Sequence, residues 1–214
     1  MARIESPDLA GPSGRLEAQL KIPSSREPAG VALVCHPHPL FGGTMHNKVV
    51  HAAAEAMAGE GLPVLRFNFR GVGLSEGKHS GGAGEVQDAL AALALLEARF
   101  PGLPVVVAGY SFGASVGMRA GCGAASVAAL IGIGVPVTLD RFDFLSGCAK
   151  PITLIQGEND PFGPLPLVMA VAATAAGGSR VVPVPGAAHN FMGRLDELAR
   201  RVAEAVPGGL RRGA

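Results

Sequence analysis

Within a few residues around position 109 the chain changes character, and that change constrains the fold more than any other feature. Pro104-Val105-Val106-Val107-Ala108 is β-branched and uncharged, the pattern of a buried strand. Phe112 to Ala120 is a run of small residues that reads as a helix, and Gly109-Tyr110-Ser111-Phe112-Gly113 joins the two. A serine on such a strand-to-helix turn is held in a strained backbone conformation with its hydroxyl pushed beyond the sheet edge. Flanking glycines leave room for the turn and for close packing of helix on strand. In a chain with 31 glycines the pentapeptide alone carries little weight. The strand before it, the helix after it, and an acid and a histidine downstream in the right order give it meaning.

The alternation of strand and helix runs the length of the chain. Leu16–Ile22, Val31–Cys35, Pro63–Phe69, Val105–Ala108, Val127–Ile133, Ile152–Gln156 and Val181–Val184 read as strands. His46–Ala58, Glu85–Arg99, Phe112–Ala120, Pro164–Ala176 and Met192–Val206 read as helices, with glycine or proline stops after several of them. This order predicts an α/β fold with a mostly parallel sheet of about seven strands and helices on both faces. Residues 1–13 are expected to form an N-terminal segment, 14–206 a single domain and 207–214 a C-terminal tail. Ligands on such sheets bind at the carboxyl ends of strands, and every unusual loop here follows a strand.

Composition removes several function classes. Hydrophobic residues are 48% and charged residues 16% of the chain, which is incompatible with disorder. A formal charge of +1 without a basic stripe argues against nucleic acid as a partner. Ala120–Leu139 is uncharged and long enough to span a bilayer, but its glycines and Pro136 divide it into a helix end, a turn and a strand, so no membrane partner is expected. Cys35, Cys122 and Cys148 show no metal-type spacing, and a reducing cytoplasm fits them. Arg70-Gly71-Val72-Gly73-Leu74-Ser75 fails as a dinucleotide fingerprint, because Glu76 stands where the third glycine belongs, and no P-loop is present. That loop reads instead as a wall whose Asn68 and Arg70 hydrogen-bond to neighbouring loops.

Serine needs a base to take its proton, and the base needs an orienting carboxylate. His189, in a loop after the last strand, is the best base, and Asp160, just beyond the Ile152 strand, the best acid. Glu158, Asp140 and Asp143 are its competitors. Ser111, Asp160 and His189 then occur in the chain order expected of an α/β-hydrolase site. The tetrahedral intermediate requires backbone N–H donors. One is expected from Phe112, the other from the loop after the Val31 strand. Pro37 and Pro39 have no N–H, so His38 is the first choice and Leu40 the second. His36 and His38 could form a metal pair, but the acidic ligand typical of hydrolytic zinc sites is missing, so no metal is expected.

Four landmarks resemble the α/β-hydrolase superfamily, and more narrowly its small lidless bacterial, dienelactone-hydrolase-like members. They are Cys35-His36-Pro37-His38-Pro39 with Gly42-Gly43, Arg66–Gly73, Gly109–Gly113, and Gly157–Asp160 with His189. The resemblance spans roughly residues 14 to 206 and implies Ser111 as nucleophile, Asp160 as acid, His189 as base, and Phe112 with His38 or Leu40 as oxyanion donors. It departs in one respect: dienelactone hydrolases proper use a cysteine nucleophile. The interval from Gly134 to Pro151 is too short for a lid domain, so the site is expected to be open. Its walls are expected from Phe41, Tyr110, Phe162 and Phe191, with Leu40, Phe112, Phe142 and Phe144 as further candidates. The expected activity is hydrolysis of small carboxylic esters through an acyl-enzyme, with a peptidase or amidase on the same fold, and after it a metal-dependent hydrolase using the His36/His38 loop, as the alternatives. A small-molecule ester is the expected partner, with a second copy of the chain allowed, and no cofactor is implied.

Overall fold

The computed structural model describes residues 2–24 and 27–211. Ten strands and five α-helices follow one another as β1 (Arg3–Glu5), β2 (Leu9–Gly11), β3 (Gly14–Leu16), β4 (Ala18–Ile22), β5 (Val31–Cys35), α1 (Lys48–Gly59), β6 (Val64–Phe67), α2 (Ala83–Arg99), β7 (Val105–Tyr110), α3 (Phe112–Gly123), β8 (Val127–Ile133), β9 (Ile152–Gly157), α4 (Leu165–Ala172), β10 (Ser179–Val184) and α5 (Leu195–Ala205). Eight of the strands form one sheet in the order β1-β4-β6-β5-β7-β8-β9-β10, and β2 and β3 form a separate hairpin. From β6 to β10 all neighbours run parallel, while β1 and β4 add an antiparallel edge.

Burial explains the parallel centre. Every residue of β5, β6, β7 and β9 is buried, as expected when helices cover both faces of a sheet, and the one charge among them, Arg66 of β6, is bonded to Met45 O and Gln19 Oε1. One face packs Val49, Val50, Ala53 and Met57 of α1 with Leu198 and Val202 of α5. The other packs Ala89, Leu93 and Leu96 of α2 with Ala114 and Met118 of α3 and Val168 of α4. The uncharged run Ala120–Leu139 resolves into the end of α3, strand β8 and the loop after it. No helix among the described residues is long and apolar enough to cross a membrane.

Three expectations are corrected. Of the segment expected over residues 1–13, residues 2–13 are part of the domain, because β1 pairs with β4 on the sheet edge and Leu9 of β2 is buried in the core. The strand expected over Leu16–Ile22 breaks at Glu17, whose N–H goes to Ser75 Oγ at 2.9 Å and whose carboxylate takes Leu74 N and Asn68 Nδ2. Cys122 and Cys148 are joined as a disulfide, fastening the end of α3 to the segment before β9. Spacing could not reveal that pairing, since it depends on how β8 returns the chain. Cys35 is a buried free thiol, its pKa pushed up by burial to about 12. Of the expected tail, Gly208–Leu210 form a single 3-10 turn, and Leu210 packs against the α1–α5 side of the core. The last residues of that tail lie outside the described residues.

Candidate active site

Strand β7 ends at Tyr110 and α3 begins at Phe112, so Ser111 alone makes the turn. Its φ of 55° and ψ of −120° are values that L-residues rarely adopt, and the geometry is stabilised from both sides. Ser111 N donates to Ile133 O at 2.9 Å, and Ser111 O accepts from Ala114 N at 2.8 Å. The flanking glycines are required by packing. A Cβ on Gly109 would lie 2.0 Å from Gly113 O, and one on Gly113 would lie 2.4 Å from both Cys35 O and His36 O. Absence of both side chains lets α3 start directly against the ends of β5 and β7.

The loops after β9 and β10 bring the other two residues to this turn. Ser111 Oγ lies 3.0 Å from His189 Nε2, and His189 Nδ1 lies 2.7 Å from Asp160 Oδ2. Asp160 is buried and, among the described residues, has no lysine or arginine partner. Gln156 Nε2 donates to its Oδ2 at 2.8 Å and Phe162 N to its Oδ1 at 2.9 Å, which fixes the carboxylate while leaving its charge to the imidazole. Tyr110 supports the histidine from beneath, donating its hydroxyl to His189 O at 3.1 Å. Burial, with a contribution from Asp160, pushes the Tyr110 phenol up to about 12, so it stays a donor at any working pH.

The competing acids bond to partners other than His189, although Asp140 reaches the cavity wall. Asp140 bonds to Ser115 Oγ, to Arg119 Nη2 at 3.3 Å and to Arg141 N at 2.7 Å. Asp143 pairs with Arg141 at the surface, and Glu158 accepts from Gly186 N at 2.8 Å, bracing the loop that carries His189.

Among the described residues, neither Phe112 N nor His38 N is spent on another hydrogen bond, and both lie beside Ser111 at the cavity wall. Leu40 is corrected as a donor: its N–H already goes to His38 Nδ1 at 3.2 Å, and its side chain faces solvent. His36 and His38 are not arranged as a metal pair. His36 is fully buried, with Nδ1 donating to Pro37 O at 2.6 Å and Nε2 accepting from Phe69 N at 3.0 Å. Burial lowers its pKa to about 4, so it is a neutral strut between two loops. The Gly-rich wall is equally braced: Arg70 forms a bidentate pair with buried Asp88, and Asn68 Oδ1 accepts from Met45 N at 2.8 Å.

Above Ser111 lies a cavity of about 590 Å³ whose lining includes Pro37, His38, Phe41, Tyr110, Phe112 and Phe162. Phe191 is corrected as a wall residue. It is fully buried among α1–α5 core residues, edge-on to Tyr110, and holds the His189 loop from below with a φ of 51°. Phe142 is also core, and Phe144 lies under the Arg119 guanidinium at 4.3 Å. Sequence reasoning missed Asn47, Pro136, Leu139 and Asp140 as lining residues. Their one available signal was position: Asn47 lies between β5 and α1, and Pro136–Asp140 follows β8, both at the carboxyl edge where sites form.

The chain and its fold are similar to known proteins. A family model described as serine aminopeptidase, S33, matches residues 26–141, more than half of the chain. Uncharacterized protein RP471 of Rickettsia prowazekii is 42% identical over 154 residues, which cover 70% of this chain and 64% of that protein, so the match spans less than two thirds of this curated relative. An alpha-beta serine hydrolase homologue from Coxiella burnetii is 37% identical with a TM-score of 0.89, covering 95% of this chain and 97% of that one. XC6422 from Xanthomonas campestris, an a/b serine hydrolase without lid, is 33% identical with a TM-score of 0.90, covering 99% and 97%. The chain therefore belongs to the serine aminopeptidase S33 family of hydrolases, within the lidless, dienelactone-hydrolase-like group of the α/β-hydrolase superfamily.

Proposed function

We propose that this protein cleaves small carboxylic esters through an acyl-enzyme, with Ser111 as nucleophile, His189 as general base and acid, and Asp160 as the orienting carboxylate. The observation that carries the reading is the continuous path Ser111 Oγ–His189 Nε2 at 3.0 Å and His189 Nδ1–Asp160 Oδ2 at 2.7 Å. In this reading the Nδ1–H is donated to Asp160, which leaves the Nε2 lone pair facing the serine hydroxyl. His189 takes the proton as Oγ attacks the ester carbonyl carbon, and Asp160 stabilises the imidazolium that results. The oxyanion forms against Phe112 N–H and His38 N–H. Collapse of the tetrahedral intermediate breaks the bond to the alkoxide, which leaves with the His189 proton. Water then repeats the sequence on the acyl-Ser111 ester, releasing the acid and restoring the serine.

Ester is favoured over peptide by the charge of the cavity. An aminopeptidase holds its substrate's terminal ammonium with an anionic group. Asp140 is the lining carboxylate outside the Ser111–His189–Asp160 path, and Arg119 already pairs with it. Matched ester and amide substrates test this directly. The ester is expected to turn over at least a hundredfold faster, and amide turnover at a comparable rate would overturn the assignment. Ser111→Ala should reduce either activity by on the order of 10⁶ and end labelling by a fluorophosphonate. The cytoplasmic placement suggested by composition stands as part of this proposal, and the bonded Cys122–Cys148 pair sits uneasily with it. Alkylation trapping of the two thiols in fractionated cells decides between a reducing and an oxidising compartment.

A further inference from the structure

Phe41 is 87% exposed, the largest exposure of any bulky apolar side chain among the described residues, and it stands at the mouth of the cavity above Ser111. The backbone fixes it there. Pro39–Phe41 form a single 3-10 turn, started by His38 and closed by Gly42 in the left-handed region, with Phe41 N and Gly43 N both donating to His38 O at 3.1 Å. Rings continue inward from it in an unbroken series. Phe41 lies 4.9 Å from His38, His38 lies 4.8 Å from Phe112, and Phe112 meets core Phe69 edge-on at 5.8 Å. Across the cavity the walls differ: Phe162 stands edge-on to His189 at 4.8 Å, beside Pro136 and Leu139.

Sheet order separates these walls. His38 and Phe41 follow β5 on one side of β7, whereas Pro136, Leu139, Phe162 and His189 follow β8, β9 and β10 on the other. His189 must reach the leaving alkoxide, so the alcohol part of a substrate departs on its side. The acyl part is left to the β5 side. Resting on the ester-hydrolase reading, we infer that the Phe41–His38 face binds an aromatic ring carried by the acyl group, and that the natural substrates are uncharged arylalkanoate esters. The rings are tilted by 57° and 52° to one another, so an incoming ring can stack on one π-face and meet the next edge-on, which is one of the few gains available to a substrate in an open cleft. No lysine or arginine lines the cavity among the described residues, and the carboxylate of Asp140 is paired, so nothing there favours a charged ring. Burial, with His79 adding to it, keeps the His38 pKa low, so this wall is neutral at physiological pH.

The test compares methyl phenylacetate with methyl cyclohexylacetate by pH-stat titration. The two esters have the same number of carbons and an unconjugated carbonyl, and differ in the flatness and π-face of the ring. The phenyl ester should be preferred about fivefold in kcat/KM, through KM, which is the size of an aromatic stacking contact. Phe41→Ala should bring the ratio to near one, and Phe41→Trp should restore it. A ratio of one in the wild type, with methyl acetate still hydrolysed, overturns the aryl site and leaves the esterase standing. Failure to hydrolyse any of the three overturns both. A preference that appears only when the ring is moved to the alcohol, as in benzyl acetate against cyclohexylmethyl acetate, also overturns the assignment. So does a Phe41→Ala protein that changes from dimer to monomer in sedimentation while keeping the wild-type ratio, because Phe41 would then serve a second copy of the chain.

Discussion

The start of helix α3 presents two serines one turn apart, Ser111 as its cap and Ser115 within it, and each joins a cluster with an aspartate from another loop and a nitrogenous side chain, His189 in one case and Arg119 of α3 itself in the other. At Ser111 the histidine stands between hydroxyl and carboxylate, and Asp160 is buried with no lysine or arginine partner among the described residues. At Ser115 the hydroxyl bonds to Asp140 directly, while Arg119 bridges the two at 3.4 Å and 3.3 Å. The same ingredients thus appear twice with opposite chemical value. A carboxylate is too weak a base to take a proton from an alcohol, and a guanidinium has no lone pair to accept one. Only the arrangement with imidazole in the middle can move a proton off the serine. The Ser115 cluster instead ties the β8 loop to α3, with Arg119 also bonding Arg141 O and lying over Phe144.

Substituting the two aspartates tests that contrast most sharply. Asp160→Asn should lower kcat by about 10⁴, because an amide cannot stabilise the imidazolium and favours the wrong tautomer. Asp140→Asn should stay within about tenfold of wild type, since one good hydrogen bond is worth roughly 1 kcal/mol. Steady-state hydrolysis of an activated acetate ester measures both. A crippled Asp140→Asn with a mild Asp160→Asn would exchange the roles given to the two sites.

A second comparison follows from the disulfide, which belongs to the Ser115 side of α3. Cys122 and Cys148 close a loop of 26 residues in sequence separation that contains Asp140 and Phe144. Restricting the unfolded chain by such a loop stabilises a fold by roughly 3 kcal/mol. Cys122→Ser with Cys148→Ser should therefore lower the denaturation midpoint by a corresponding amount. Fluorophosphonate labelling of Ser111 at moderate temperature should persist. Loss of labelling in a still-folded variant would show that the two serine sites are mechanically one.

How much of this was legible beforehand depends on whether a feature is local. The Ser111 turn, the strands β5 to β9 and the order Ser111, Asp160, His189 are written in contiguous residue types, because glycine tolerance and β-branched runs act over a few positions. Asn68 and Arg70 as braces were also readable from their loop. The Cys122–Cys148 bond and the Ser115–Asp140–Arg119 cluster were not, since each joins segments brought together by β8. Phe191 and Phe162 differ in the same way. Both are phenylalanines beside a site residue, and only the course of the chain decides that one is fully buried and the other 40% exposed.

His36 gives a pH test on the far side of Ser111 from the Asp140 cluster. Its folded pKa is about 4 against 6.5 for a free imidazole, with burial as the main cause. The unfolded chain therefore binds a proton between those values that the folded chain refuses. Stability contributed by the neutral strut is complete above pH 6.5 and is lost as pH falls toward 4, by up to about 3 kcal/mol. Tm should drop across that window, and His36→Gln should flatten the drop while lowering Tm at neutral pH. An unchanged acid slope in that variant would assign the acid sensitivity to other groups.

The smallest effect expected is on acyl-chain length, and it asks whether the β8 side of the site can move. A methylene contributes up to about 0.8 kcal/mol only where apolar surface covers it. Leu139 and Phe162 are exposed, and the loop that carries Leu139 is held at several points. Thr138 N and Oγ1 both donate to Phe162 O, at 3.1 and 2.9 Å, and Asp140 is bound to α3 through Ser115 and Arg119. A loop so fastened cannot fold over a long chain. For linear nitrophenyl esters, kcat/KM should peak at about two to four acyl carbons, where the cavity floor still covers the chain. Longer homologues should then gain nothing per added methylene, and emulsified substrate should produce no activation. An optimum at long chains would mean that the Thr138 and Asp140 attachments open in solution. Arg119→Ala, which releases one of them, should then shift the optimum further toward long chains.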